Sequence, residues 1–132
     1  MNKIIIALLL SVVSSNAVAK WVEVNRNKYA TGYANPDTIV NDGNIATMWS
    51  LVDCKTITRF IGGAPFMSIK SQEEFDCKGK KLRTVVYTLH SGKMGEGKVV
   101  FTDSNPSRWV SALPENGMEK FLKIACGHNR LL

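Results

Sequence analysis

Two cysteines in this chain terminate patterns of different period, and that pairing limits the fold more than any other feature. From Phe66 to Cys77 the residues alternate. Met67, Ile69, Phe75 and Cys77 fall on one parity; Ser68, Lys70, Gln72, Glu74 and Asp76 fall on the other. Strand side chains point to alternate faces, so Cys77 is expected to point inward with Met67 and Ile69. Ser71 and Glu73 interrupt the inward parity, and a bulge or strand end is expected there. From Asn116 onward the period changes: Met118, Phe121, Leu122 and Ala125 recur at helical spacing, with Lys120 and Lys123 off the stripe. Asn116 and Glu119 have the spacing of a capping box, and Gly127 is a stop signal. A helix laying this stripe on the sheet brings Cys126 to Cys77. A bridge between them closes a loop that contributes roughly 4 kcal/mol through chain entropy. Cys54 is then left over, as a small buried apolar residue.

The N-terminus makes such a bridge chemically reasonable. A basic start at Met1-Asn2-Lys3 precedes an apolar run from Ile4 to Val13 and a small-x-small end at Ala17-Val18-Ala19. This is the layout of a secretory signal cleaved after Ala19. The run is too short for a membrane span, which needs ~20 apolar residues. The remaining chain, Lys20 to Leu132, has the length of one domain. It is expected to work outside the cytoplasm, where thiols pair. The periplasm is the first expectation for its location, with the cell surface or the medium as alternatives. Seventeen Lys and Arg against eleven Asp and Glu give a formal charge of +6, one of which leaves with Lys3. That balance suits anionic partners. Nucleic acid is excluded by the compartment.

The rest of the chain reads as strands separated by turns. Trp21 to Val24 is a short strand, Ala34 to Asp37 a turn, and Thr38 to Val40 an extended piece. Asn41 to Asn44 is a hairpin turn before a strand from Ile45 to Asp53, in which Ile45, Trp49 and Leu51 share a face. Ile61 to Pro65 and Lys78 to Lys80 are further turns. Leu82 to His90 is a strand rich in Val, Thr and Tyr. The glycine-rich segment from Ser91 to Gly97 closes a hairpin with Lys98 to Thr102, and Arg108 to Val110 is a short piece carrying Trp109.

No enzyme signature emerges. His90 and His128 are not spaced as a metal pair and are expected at the surface. The spacing Gly92, Gly95, Gly97 resembles a phosphate loop, but it opens no helix. Glu73, Glu74 and Asp76 form an acidic cluster that alternation divides between two faces. The suggestive surface feature is basic: Lys78, Lys80, Lys81 and Arg83 lie close in sequence, and Lys93 and Lys98 follow across the expected hairpin. These six are the candidate binding residues. Lysines at sheet edges also prevent unwanted strand pairing, which is the competing structural account.

Across Lys20 to Gly127 the chain resembles the surface-adhesin protein E family of Gram-negative bacteria. The resemblance is carried in order by Trp21-Val22-Glu23-Val24, Asn35-Pro36-Asp37-Thr38-Ile39, Met48-Trp49-Ser50-Leu51-Val52-Asp53 and Ser68-x-Lys70-Ser71. It continues through Glu74-Phe75-Asp76-Cys77, the segment Gly92 to Val100, Trp109 and Ile124-Ala125-Cys126. It implies one antiparallel sheet packed on a C-terminal helix, a disulfide from the Asp-Cys strand to that helix, and no catalysis. It also implies adhesion, since the family's namesake binds host matrix proteins and plasminogen. Two features depart from the family: Cys54 stands where an aromatic residue is expected, and no lipidation cysteine follows the export segment. Both point to a soluble periplasmic form.

The expectation is therefore an α+β domain: a single antiparallel sheet of about six strands packed against a C-terminal helix, with one disulfide and no cofactor. Its expected function is non-enzymatic binding of an acidic host or envelope protein, or an anionic glycan, through the basic hairpin. The alternative is a periplasmic small-ligand or envelope-maintenance protein, using an apolar gap between helix and sheet near Trp49, Trp109 and Phe121.

Overall fold

The computed structural model describes residues 20–127; the expected export segment, residues 1–19, and His128 lie outside the described residues. Seven strands form one sheet: β1 (Val22–Arg26), β2 (Ala30–Asp42), β3 (Ile45–Thr58), β4 (Phe66–Asp76), β5 (Lys81–His90), β6 (Val99–Asp103) and β7 (Val110–Ser111). Strands β1 to β6 pair antiparallel in sequence order, and β7 pairs with β5 beside β6. After them comes the one α-helix among the described residues, α1 (Met118–Cys126). The expected six-stranded sheet and C-terminal helix are thus present, with the two-residue β7 as an addition.

The helix covers one end of one sheet face. Leu122 and Ala125 are buried on Ala34, Ala46, Met48, Phe75 and Leu82, with Met118, Phe121 and Ile124 packed around them. Each large apolar side chain so buried contributes about 1.5–3 kcal/mol. The bridge forms as expected, Cys77 to Cys126 with Cα atoms 5.6 Å apart. It ties the end of β4 to the last turn of α1. A second cluster of Cys54, Phe66 and Leu89, flanked by Ile69, Tyr87 and Val100, fills the far end of the sheet. Cys54 is free and buried there.

Several local expectations change. Ala34 to Asp37 is no turn: β2 runs unbroken through it, with a register irregularity between Asn35 and Val40. Asn35 Oδ1 accepts the Asp37 N–H, and Thr38 Oγ1 accepts the Trp49 N–H that the ladder leaves over. Ser71 and Glu73 sit in a β4 that carries no extra residue between them. The irregularity is in β5, where Gln72 pairs with Val86 and Glu73 with Thr84, so Val85 is the added residue. Gly117, at φ +75°, precedes α1. The expected capping box does not form: Gly117 is the N-cap, and Asn116 lies one residue earlier inside a 3₁₀ turn, its Oδ1 accepting the N–H groups of Met118 and Leu113. Glu119 instead pairs with Lys123 at 2.8 Å.

The face opposite α1 is partly covered by the segment between β5 and β6. Its 3₁₀ turn (Lys93–Gly95) folds down onto β3 and β4. Met94 N–H donates to Asp53 Oδ1 at 2.7 Å and Gly95 N–H to Ser68 Oγ at 2.8 Å, while Ser68 Oγ donates to the Gly92 carbonyl at 2.6 Å. These three bonds satisfy the buried Asp53 and Ser68.

Candidate binding surface

The turn between β4 and β5 is fixed from several sides. Asp76 Oδ1 accepts the Gly79 N–H at 2.8 Å. Lys80 takes a left-handed conformation, φ +55°, and its carbonyl accepts the Ala112 N–H at 3.0 Å. The Cys77 N–H donates to the Asn44 carbonyl at 2.9 Å, and its sulfur holds α1. A left-handed lysine costs about 1 kcal/mol, which these ties offset. The result is a rigid projection on which Lys78, Lys80 and Lys81 are all exposed. Four ion pairs occur among the described residues, and none uses these three lysines. Lys80 borders a shallow cleft of about 470 Å³ beside Lys123 and Glu119 at the end of α1.

The other three candidate cations are placed differently. Arg83 Nε donates to Glu74 Oε1 at 2.7 Å, and its guanidinium stacks 4.8 Å from the centre of the Trp109 ring. Lys93 Nζ donates to the Cys54 carbonyl at 3.0 Å and lies 3.5 Å from Asp53 Oδ2. Lys98 is exposed, its backbone paired with Ser91. The ten residues of β5 separate Lys81 from the Lys93 and Lys98 segment, a span of roughly 30 Å. The structure thus brings Lys78, Lys80 and Lys81 together, sets Arg83 beside them in an ion pair, and carries Lys93 and Lys98 to the opposite end.

The acidic cluster is dispersed. Glu74 and Asp76 are occupied as described, and Glu73 faces inward, its Oε1 accepting from Ser50 Oγ at 2.7 Å. Burial pushes the Glu73 carboxyl up from its ordinary value, against the opposing hydrogen bonds of Ser50 and Thr84. His90 is buried rather than at the surface, because the Gly92-to-Gly97 segment folds over its strand end. Its Nε2 meets Thr88 Oγ1 at 2.7 Å, while Nδ1 has no partner. Burial, and then the nearby Lys70 charge, hold its pKa below the ordinary value. Trp49, Trp109 and Phe121 do not line one gap. Phe121 lies over Gly32 on the helix side, Trp49 lies under Lys70 Nζ at 5.8 Å on the other face, and Trp109 is at the edge with Arg83.

Among the described residues, no group of three or more His, Cys, Asp or Glu stands close enough to hold a metal, and no helix is long and apolar enough to cross a membrane. One exposed feature lies outside the sequence expectations: Ile57, Phe60 and Ile61 stand in solvent around the turn after β3. The signal available was three large apolar residues beside a Gly-Gly turn.

The sequence profile of the surface-adhesin protein E family matches residues 21–127. A comparison with curated protein sequences finds no match. Among solved structures, the fold is similar to protein E of Haemophilus influenzae. The selenomethionine form gives a TM-score of 0.67 at 13% identity, covering 89% of this chain and 94% of that one. A second crystal form gives 0.66 at 13% identity, covering 86% and 91%. At that identity the likeness establishes the shared fold.

Proposed function

From the premise that this chain belongs to the surface-adhesin protein E family and is an adhesin-like module, we propose that it is a non-catalytic binding protein. On this reading an acidic protein or an anionic glycan, of a host or of the envelope, is captured at the β4–β5 turn. The observation that carries the reading is the exposure of Lys78, Lys80 and Lys81 together on a turn anchored by the Cys77–Cys126 bridge. Three ammonium groups on a fixed turn meet an anionic partner without losing backbone entropy on contact, so more of the attraction survives as affinity. Arg83, held by Glu74 and Trp109, extends the positive surface from a preset position. Residues 1–19 serve as the export signal, and the domain works in the periplasm or at the cell surface.

The test is salt dependence with heparin as the anionic probe. Binding weakens steeply as ionic strength rises from 50 to 300 mM, because exposed charges are screened beyond about 10 Å at 0.1 M. Binding that is unchanged over that range contradicts the proposal.

A further inference from the structure

The end of the sheet opposite the β4–β5 turn carries a different surface. Three connections meet there: the β1–β2 turn, the β3–β4 loop and the β5–β6 segment. The Lys55 N–H donates to the Tyr29 carbonyl at 2.9 Å, and Lys93 Nζ donates to the neighbouring Cys54 carbonyl at 3.0 Å. These two bonds draw the outer connections to the end of β3. The β3–β4 loop lies against β6, the two sharing a cleft of about 360 Å³ that Phe60, Ile61 and Phe101 help to line.

Large apolar side chains project from this end. Ile61 is fully exposed at the loop tip beside Gly62 at φ +76°, Ile57 is 71% exposed and Phe60 52%. Val99 and Phe101 on β6 are about half exposed alongside. Single exposed apolar residues are ordinary; Phe60, Ile61 and Phe101 line one cleft together, and such a group at the apex of one end marks an interaction site. Around the group stand Lys28, Lys55, Arg59 and Lys98, all exposed, and none of them belongs to an ion pair among the described residues. The acids of this end are Glu96, on the β5–β6 segment, and Asp53, which is buried and faces Lys93.

An apolar tip flanked by exposed cations that form no ion pair among the described residues is complementary to a surface that is anionic outside and apolar a few ångströms down. We propose that this end of the domain docks on an anionic lipid bilayer. Phe60 and Ile61 enter the interface between headgroups and acyl chains, while Lys28, Lys55, Arg59 and Lys98 lie on the lipid phosphates. Neither element suffices alone: two side chains give modest partition, and each lysine or arginine near a charged surface adds a comparable increment. In this orientation the eleven residues of β4 carry the β4–β5 turn roughly 35 Å from the membrane surface, with Lys78, Lys80 and Lys81 facing away from it.

The test is flotation of the purified, disulfide-bonded protein with vesicles of phosphatidylglycerol and phosphatidylethanolamine, and with pure phosphatidylcholine vesicles. Binding is expected to the first and not to the second. Phe60→Ser with Ile61→Ser lowers it about tenfold or more, and both residues are exposed enough for the variant to fold. Lys28→Glu, Lys55→Glu and Lys98→Glu together abolish it. Lys78→Glu, Lys80→Glu and Lys81→Glu together, an equal change of net charge, leave most of it. Phe60→Trp shows a blue-shifted emission on the anionic vesicles. Absence of binding to anionic vesicles overturns the proposal, as does binding that is indifferent to the tip residues, or that follows net charge at either end alike. If the end docks on a protein instead, the first of these results is obtained.

Discussion

A β-carbon on Gly32 would stand 3.2 Å from Cζ of Phe121, and closer still to Oδ1 of Asn25, so α1 rests on bare backbone at β2. Asn25 Nδ2 in turn donates to the Gly117 carbonyl at 3.3 Å, tying β1 to the start of the helix. Gly32→Ala therefore forces α1 outward and displaces Asn25. A cost of about 1–3 kcal/mol is expected from such overpacking, read as a lower midpoint in denaturant unfolding with the slope unchanged.

Cys77 and Cys126 close a loop at a sequence separation of 49. Cys126→Ala is expected to lower stability by about 2–5 kcal/mol. Peptide mapping without reductant recovers Cys77 linked to Cys126 and Cys54 as a free thiol that reacts only on unfolding, since it is buried.

Glu73 is raised above its ordinary pKa by burial, so the folded state holds this proton more tightly than the unfolded chain. Stability contributed by the neutral acid is present at low pH and is lost as pH rises past the unfolded carboxylate value, near 4.3, through the higher folded one. Glu73→Gln keeps an acceptor for Ser50 and removes the charge. The variant should melt above the parent protein at pH 7, with the gap closing toward pH 4. A parent protein that is the more stable at pH 7 contradicts this assignment.

His90 has the opposite sign. Its pKa is lowered by burial and by Lys70, so its contribution is complete above the unfolded value of about 6.5 and fades as pH falls below it. An NMR titration should place the His90 midpoint below that of a free imidazole. Lys70→Met should move the midpoint partway back, because burial remains the larger cause.

The sheet, the helix and their bridge were readable because each rests on a periodic pattern. Met67, Ile69, Phe75 and Cys77 alternate, and Met118, Phe121, Leu122 and Ala125 recur along α1. The errors fall where a side chain replaces a missing backbone partner. Asn35-Pro36-Asp37 carries turn residues, yet Thr38 Oγ1 supplies what the ladder lacks and the strand continues. His90 looks like a strand end until the Gly92-to-Gly97 segment folds over it, an event fixed by Asp53 and Ser68, distant in sequence. Trp49 shares a face with Leu51 as expected, but α1 covers the other face, through Ala46 and Met48; parity alone does not say which face the helix chooses. The grouping of the cations follows from topology. In a meander, successive connections alternate between the two ends, so the connections before and after β5 are far apart. Lys80 and Lys98 therefore separate, although sequence distance suggests one patch.

The most direct measurement is heparin binding by two variants of equal charge change. One carries Lys78→Glu, Lys80→Glu and Lys81→Glu; the other carries Lys28→Glu, Lys55→Glu and Lys98→Glu. If the β4–β5 turn is the capture site, affinity falls about tenfold or more in the first and changes little in the second. Equal losses in both variants would show that only net charge is being read, and would contradict a binding site on the disulfide-anchored turn.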